Sequence, residues 1–227
     1  MTGIFRTAWL IAKKDLIVEA RSRELAYTTV FFAVASVLVF AFALVQEGRA
    51  PDDAPAGILW VAVAFSGTLA LGRAFERERQ GETLRALLLS PAERPAIYLG
   101  KLFAILVLMA GVEAILVPVV GLLFDAPITR APWLLAALLA AGTLGFAGVG
   151  TLFAAMLVRA RSRDVLLPVV LYPIAVPVII SGVRGTAAIF AAEPSYATAQ
   201  TWLAMLILFD AVFITLACWT FAPVMSE

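Results

Sequence analysis

Phe75-Glu-Arg-Glu-Arg-Gln-Gly-Glu-Thr-Leu-Arg-Ala-Leu-Leu-Leu-Ser-Pro-Ala-Glu-Arg-Pro-Ala-Ile-Tyr-Leu-Gly-Lys101 is a charged segment set between two apolar runs, Ala54 to Gly72 and Leu102 to Phe124. A helix rises 1.5 Å per residue, so about 20 residues cross a hydrocarbon core of about 30 Å, and both runs are of that length. Working outward, Leu25 to Gln46, Ala131 to Val158, Val165 to Val183 and Pro194 to Ser226 are further runs of this kind. Their continuous apolar character excludes membrane strands, which alternate over about 10 residues. The expectation is an all-α, polytopic membrane protein with six transmembrane helices.

Composition agrees. The 227 residues are 63% hydrophobic and 15% charged, with a mean hydropathy of +0.98; a soluble domain is roughly half apolar. No stretch outside the runs is long enough for a soluble domain, so 1–227 reads as a single transmembrane domain. The N-terminal stretch carries charge throughout and does not read as a cleavable signal. Net charge of +1 points to no nucleic-acid partner, and the single cysteine, Cys218, excludes an internal disulfide.

The basic residues orient the spans. Arg6, Lys13, Lys14, Arg21, Arg23, Arg73, Arg77, Arg79, Arg85, Arg94, Lys101, Arg159, Arg161 and Arg163 fall on one side, and only Arg49, Arg130 and Arg184 on the other. By the positive-inside bias both termini are expected in the cytoplasm. Residues 3–24 read as an interfacial helix before the first span, with an apolar stripe of Phe5, Trp9, Ala12 and Leu16 beside a basic ridge. It serves either as a lipid anchor or as an elbow that also braces a partner. Residues 184–198 form the last outer segment, in which 186–192 is expected to be a re-entrant or interfacial element, too short to span.

Within the opening segment, Leu84, Leu87 and Leu88 recur at helical spacing, so one face is apolar while Glu82 and Arg85 point elsewhere. It is either a solvated loop or, as residues 76–98, a cytoplasmic coupling region that docks on a partner. Ser90-Pro-Ala-Glu93 has the form of a capping box, which Pro95 is expected to interrupt or restart. Two acids interrupt the apolar runs, Glu113 and Asp210. Each costs about 2.5 to 3.5 kcal/mol at mid-span, so each is expected to face the protein interior or water. They mark a polar path or proton relay, or they are neutral or hydrogen-bonded structural groups. Pro168, Pro173 and Pro177 make the fifth span a jointed, moving helix or a static kinked one. Ala137, Ala141 and Gly145 form a small-residue stripe for close packing within the chain or in a dimer seam.

The absences exclude chemistry. Histidine is missing altogether, so catalysis by Ser-His-Asp or Cys-His and metal or haem ligation by histidine are excluded. Gly100-Lys101 is followed by Leu102 and has Pro95 where a phosphate-binding loop needs glycine. No catalytic or metal-binding residue is expected, nor a cofactor bound by this chain.

The pattern Phe75, Glu78, Gly81, Thr83, Leu84, Leu87, Pro91, ending in Tyr98-Leu-Gly-Lys101, resembles the first cytoplasmic loop of the CcmB family, the haem exporter B permeases of cytochrome c maturation. The run from Leu166 to Pro177 resembles that family's fifth span. Glu82 after Gly81, and Arg85 where an acid is common, are departures. The resemblance implies an ABC-2-type exporter-like permease of the bacterial inner membrane, present as two copies beside a CcmA-type ATPase, with CcmC, CcmD and CcmE-type haem-handling proteins and haem as cargo. Phe75, Glu78, Gly81, Glu82, Thr83, Leu84, Arg85, Leu87, Leu88 and Pro91 would dock the ATPase, and Pro168, Pro173 and Pro177 would be the hinge. The rival expectations are an exporter of lipid-linked glycan or drug, a non-transporting membrane scaffold and, least supported, a membrane enzyme.

Overall fold

A computed structural model describes residues 2–44, 51, 53–74, 93–160 and 162–224. Within them lie seven α-helices: α1 (Thr2–Ser22), α2 (Glu24–Leu44), α3 (Ala54–Ala74), α4 (Arg94–Phe124), α5 (Pro132–Met156), α6 (Arg163–Phe190) and α7 (Tyr196–Val224), with a 3-10 turn, Leu157–Arg159, after α5. The last six helices are long and apolar enough to cross a membrane. They coincide with the six expected runs because continuous apolar stretches leave the backbone no partner in lipid except its own helix.

α5 lies at the centre, packed on α3, α4, α6 and α7. The core is pinned by Trp60 of α3, 2% exposed, whose indole Nε1 donates to Thr186 Oγ1 of α6 at 2.9 Å. Gly142 of α5 and Gly182 of α6 lie against the indole, where a Cβ at either would overlap the ring. Small residues let membrane helices close on one another, and here they admit the largest side chain available. The Ala137, Ala141, Gly145 stripe packs within the chain at Gly145, which meets Phe209 and Asp210 of α7.

α1 joins α2 through Arg23, whose φ of 54° turns the chain sharply. Glu19 Oε1 accepts from the Ala26 amide at 2.8 Å, satisfying one of the amides that the first turn of α2 leaves open. The buried face of α1 is Ala8, Ile11 and Ala12, set against α4, while Phe5 and Trp9 of the expected stripe are exposed. A Cβ at Gly100 would lie 2.7 Å from the Ala8 carbonyl oxygen, so α4 takes α1 at backbone contact. α1 is therefore an elbow that braces another helix of its own chain.

One expectation is corrected. Thr186 to Ala192 is not a separate re-entrant or interfacial element: α6 runs unbroken to Phe190, with Thr186, Ile189 and Phe190 buried. Gly182 and Gly185, just before this stretch, face Trp60 and Leu138, so this end of α6 packs as bundle core. Pro95 lies in the first turn of α4, which starts at Arg94, and there its missing N–H would have had no intrahelical acceptor, as a helix restarted at that point requires. Ser90 and Pro91 lie outside the described residues.

Candidate functional site: the proximal face and the intramembrane carboxyls

α1, the start of α2, the end of α3 and the starts of α4 and α6 gather at one end of the bundle, the proximal end. The expected docking residues Phe75, Glu78, Gly81, Glu82, Thr83, Leu84, Arg85, Leu87, Leu88 and Pro91 lie outside the described residues. The helices that flank them, α3 ending at Ala74 and α4 beginning at Arg94, are described, and both are tied down in detail.

The last turn of α3 leaves carbonyls without intrahelical donors. Arg163 of α6, 3% exposed, fills that need: its Nη2 donates to the Leu71 carbonyl at 3.3 Å and to the Gly72 carbonyl. A cation here also opposes the negative end of the helix dipole. One residue further on, Arg73 Nη1 meets Glu24 Oε1 of α2 at 3.0 Å. The end of α3 is thus fastened to α2 and to α6.

α4 is fastened to three other helices. Lys101, its side chain 3% exposed, pairs with Asp15 of α1 at 2.8 Å. Tyr98 is fully buried and donates its hydroxyl to the Gly148 carbonyl of α5 at 3.0 Å. The same ring packs on Phe221 of α7 with centroids 5.5 Å apart. Together these two anchored ends reach every other helix.

Glu113 and Asp210 are both buried, at 8% and 6% exposure. Thr143 of α5 donates its hydroxyl to Glu113 Oε1, on the floor of a cleft of about 730 Å³ between α4 and α5 walled by Leu106, Val117 and Leu139. Asp210 lies on the other side of α5, where a Cβ at Gly145 would lie 2.5 Å from its Oδ1. That oxygen has no hydrogen-bond partner among the described residues. Thr143 and Gly145 are two residues apart, which at 3.6 residues per turn is about 200° around the helix. The two acids therefore serve separate helix contacts and do not form one constellation.

Pro168, Pro173 and Pro177 lie within an unbroken α6. Pro173 and Pro177 are exposed and Pro168 is half-buried, whereas Leu167, Leu171, Ala175 and Val178 are buried. The lost backbone donors thus fall away from the packed face, and that face stays continuous.

The sequence reading missed Arg163, the Asp15–Lys101 pair and the Trp60–Thr186 bond. Arg163 and Lys101 were visible as charges at the borders of apolar runs, but they served there only to orient spans. The partner of each lies far off in sequence, 86 residues away for Lys101.

A model of the family described as CcmB protein matches residues 6–226. The heme exporter protein B of Paracoccus denitrificans is 32% identical over 85% of this chain and 84% of its own length. That of Pseudomonas aeruginosa is 28% identical over 80% of each chain. That of Escherichia coli K12 is 34% identical over 42% of this chain and 44% of its own. With the match running from the elbow helix to the end of the sixth span, this chain belongs to the CcmB protein family.

Proposed function

We propose that this chain is the permease subunit of an ATP-driven haem-export complex of cytochrome c maturation, in which ATP hydrolysis on a partner subunit is coupled to haem export or to release of a haem-loaded chaperone. The family match supports the class, and the name of the relatives, heme exporter protein B, supports the cargo. The observation that carries the mechanism is the fastening of α3 and α4 on either side of residues 75–92, through Arg163, Arg73, Tyr98 and Lys101. A force applied to that segment by a CcmA-type ATPase tilts two anchored helices and so moves the bundle.

In this reading Leu84, Leu87 and Leu88 seat in a groove of the ATPase, with Phe75, Glu78, Gly81, Glu82, Thr83, Arg85 and Pro91 around them. The excess of basic residues near the proximal end puts that end in the cytoplasm, where the ATPase is. α6, lacking three backbone donors on its outer face, is the span that flexes as the stroke passes to the distal loop. Two permease copies work with two ATPases, beside CcmC, CcmD and CcmE-type proteins. This chain supplies no hydrolytic group of its own. The double variant Leu84→Asp/Leu87→Asp is expected to insert normally, lose the co-purifying ATPase and abolish complex-dependent ATP hydrolysis. Unchanged co-purification and hydrolysis would refute the docking role.

A further inference from the structure

The proximal end holds a second cleft, distinct from the Glu113 cleft. It lies between α1, α2, α3 and α4 and has a volume of about 750 Å³. Its mouth is charged in both signs, with Lys14, Lys101 and Arg73 set among Asp15, Glu19 and Glu24. Below the mouth the walls are apolar, formed by Val30 of α2, Ala70 of α3, and Ala104, Leu108 and Ile115 of α4. From Lys101 to Ile115 along α4 the cleft descends about 21 Å, more than half of a hydrocarbon core of about 30 Å. One leaflet's acyl chain fits that depth.

We propose that this cleft binds a single phospholipid whose headgroup carries both a phosphate and a primary ammonium. The charges at the mouth select that class. Lys101 and Asp15 pair with each other at 2.8 Å and form a floor. Above them Lys14 and Arg73 are about half exposed, at 50% and 48%, and Glu24 is 68% exposed. A guanidinium has five donors, and Arg73 meets Glu24 through Nη1, so the same side chain can also face a phosphate. A primary ammonium has three donors for Glu24, which a trimethylated headgroup lacks. An anionic headgroup without an ammonium offers Glu24 no cationic donor and brings a net negative charge beside it. The bound lipid bridges the elbow helix and α3, next to the anchor that holds the end of α3 on α2.

The test uses the full-length chain, delipidated in mild detergent and then offered phosphatidylethanolamine, phosphatidylcholine or phosphatidylglycerol of identical acyl chains, with bound lipid read by native mass spectrometry. One phosphatidylethanolamine per chain is expected to be retained after washing, with the other two lost. Gly111 lines the cleft, and a Cβ there meets nothing within 4 Å, so Gly111→Phe fills the apolar part without displacing core and is expected to remove the bound lipid. Glu24→Gln leaves the apolar packing untouched and is expected to abolish the preference for the ammonium headgroup. Equal retention of all three lipids, preference for phosphatidylglycerol, or an unchanged bound lipid in both variants would overturn the proposal.

Discussion

Replacing Asp15 with Asn removes one partner of the Asp15–Lys101 pair while keeping its shape. At 2.8 Å, and at an effective dielectric constant of about 20, the Coulomb attraction of such a pair is about 6 kcal/mol. Most of that offsets the cost of taking Lys101, 3% exposed, out of water. Breaking a buried pair from one side typically costs about 3 to 5 kcal/mol because the other charge stays behind. Asp15 keeps one-fifth of its exposure and Lys14 lies 3.0 Å away, so the lower end, about 3 kcal/mol, is expected. The Arg73–Glu24 pair is the control: at 3.0 Å its geometry is nearly the same, but both side chains are about half exposed or more. Exposed pairs contribute about 0.2 to 1 kcal/mol, so Glu24→Gln is expected to cost no more than that. Thermal or denaturant unfolding of the purified protein in lipid nanodiscs reads both, and Asp15→Leu/Lys101→Met completes the cycle. If burial decides the energy, the double variant costs much less than Asp15→Asn. The reasoning fails if Asp15→Asn costs as little as Glu24→Gln, or if the double variant is the worst of the three.

Two further expectations concern the other anchors. Thr186→Val keeps the side-chain volume but leaves the buried Trp60 Nε1–H without its acceptor, a loss of about 1 to 3 kcal/mol that unfolding of the same preparation would register. A fall below 0.5 kcal/mol in size, on the scale of a neutral surface change, would mean that Trp60 finds another partner. Arg163→Gln removes the charged donor from the Leu71 and Gly72 carbonyls, so ATP hydrolysis by the assembled complex is expected to become insensitive to this subunit while the ATPase still co-purifies. Loss of co-purification would instead place Arg163 with the docking residues.

The six spans were legible because each is a continuous apolar stretch, a local property that the membrane reads much as a sequence window does. The elbow helix was legible as a helix but not in its facing. Phe5 and Trp9 looked like its apolar stripe, whereas the structure buries Ala8, Ile11 and Ala12. Small residues carry little hydrophobic signal, yet they are what allows α1 to touch the backbone of α4 at Gly100. The same blindness hid Gly142 and Gly182, whose value lies in what they admit, the ring of Trp60. The two acids could be marked as costly from sequence, with the protein interior or water as the two places open to them, and both are buried. Their separation was not, because it depends on which side of α5 each neighbour packs, a matter of tertiary contact between residues 30 or more apart.

The bracing of α1 on α4 also has a bearing on biosynthesis. α1 is made before α2 and α3, but the groove that receives it, with Gly100 and Lys101, emerges only after both have been synthesised. At roughly 5 to 20 residues per second that is a wait of several seconds, during which Asp15 has no Lys101. Phe5, Trp9 and Leu10, which stay exposed in the finished bundle, are the side chains that hold the nascent helix at the lipid surface through that interval. In a nascent chain stalled before residue 94, α2 and α3 already hold the chain in the membrane, and α1 should accordingly be open to protease added at that surface in a way it is not in the completed protein.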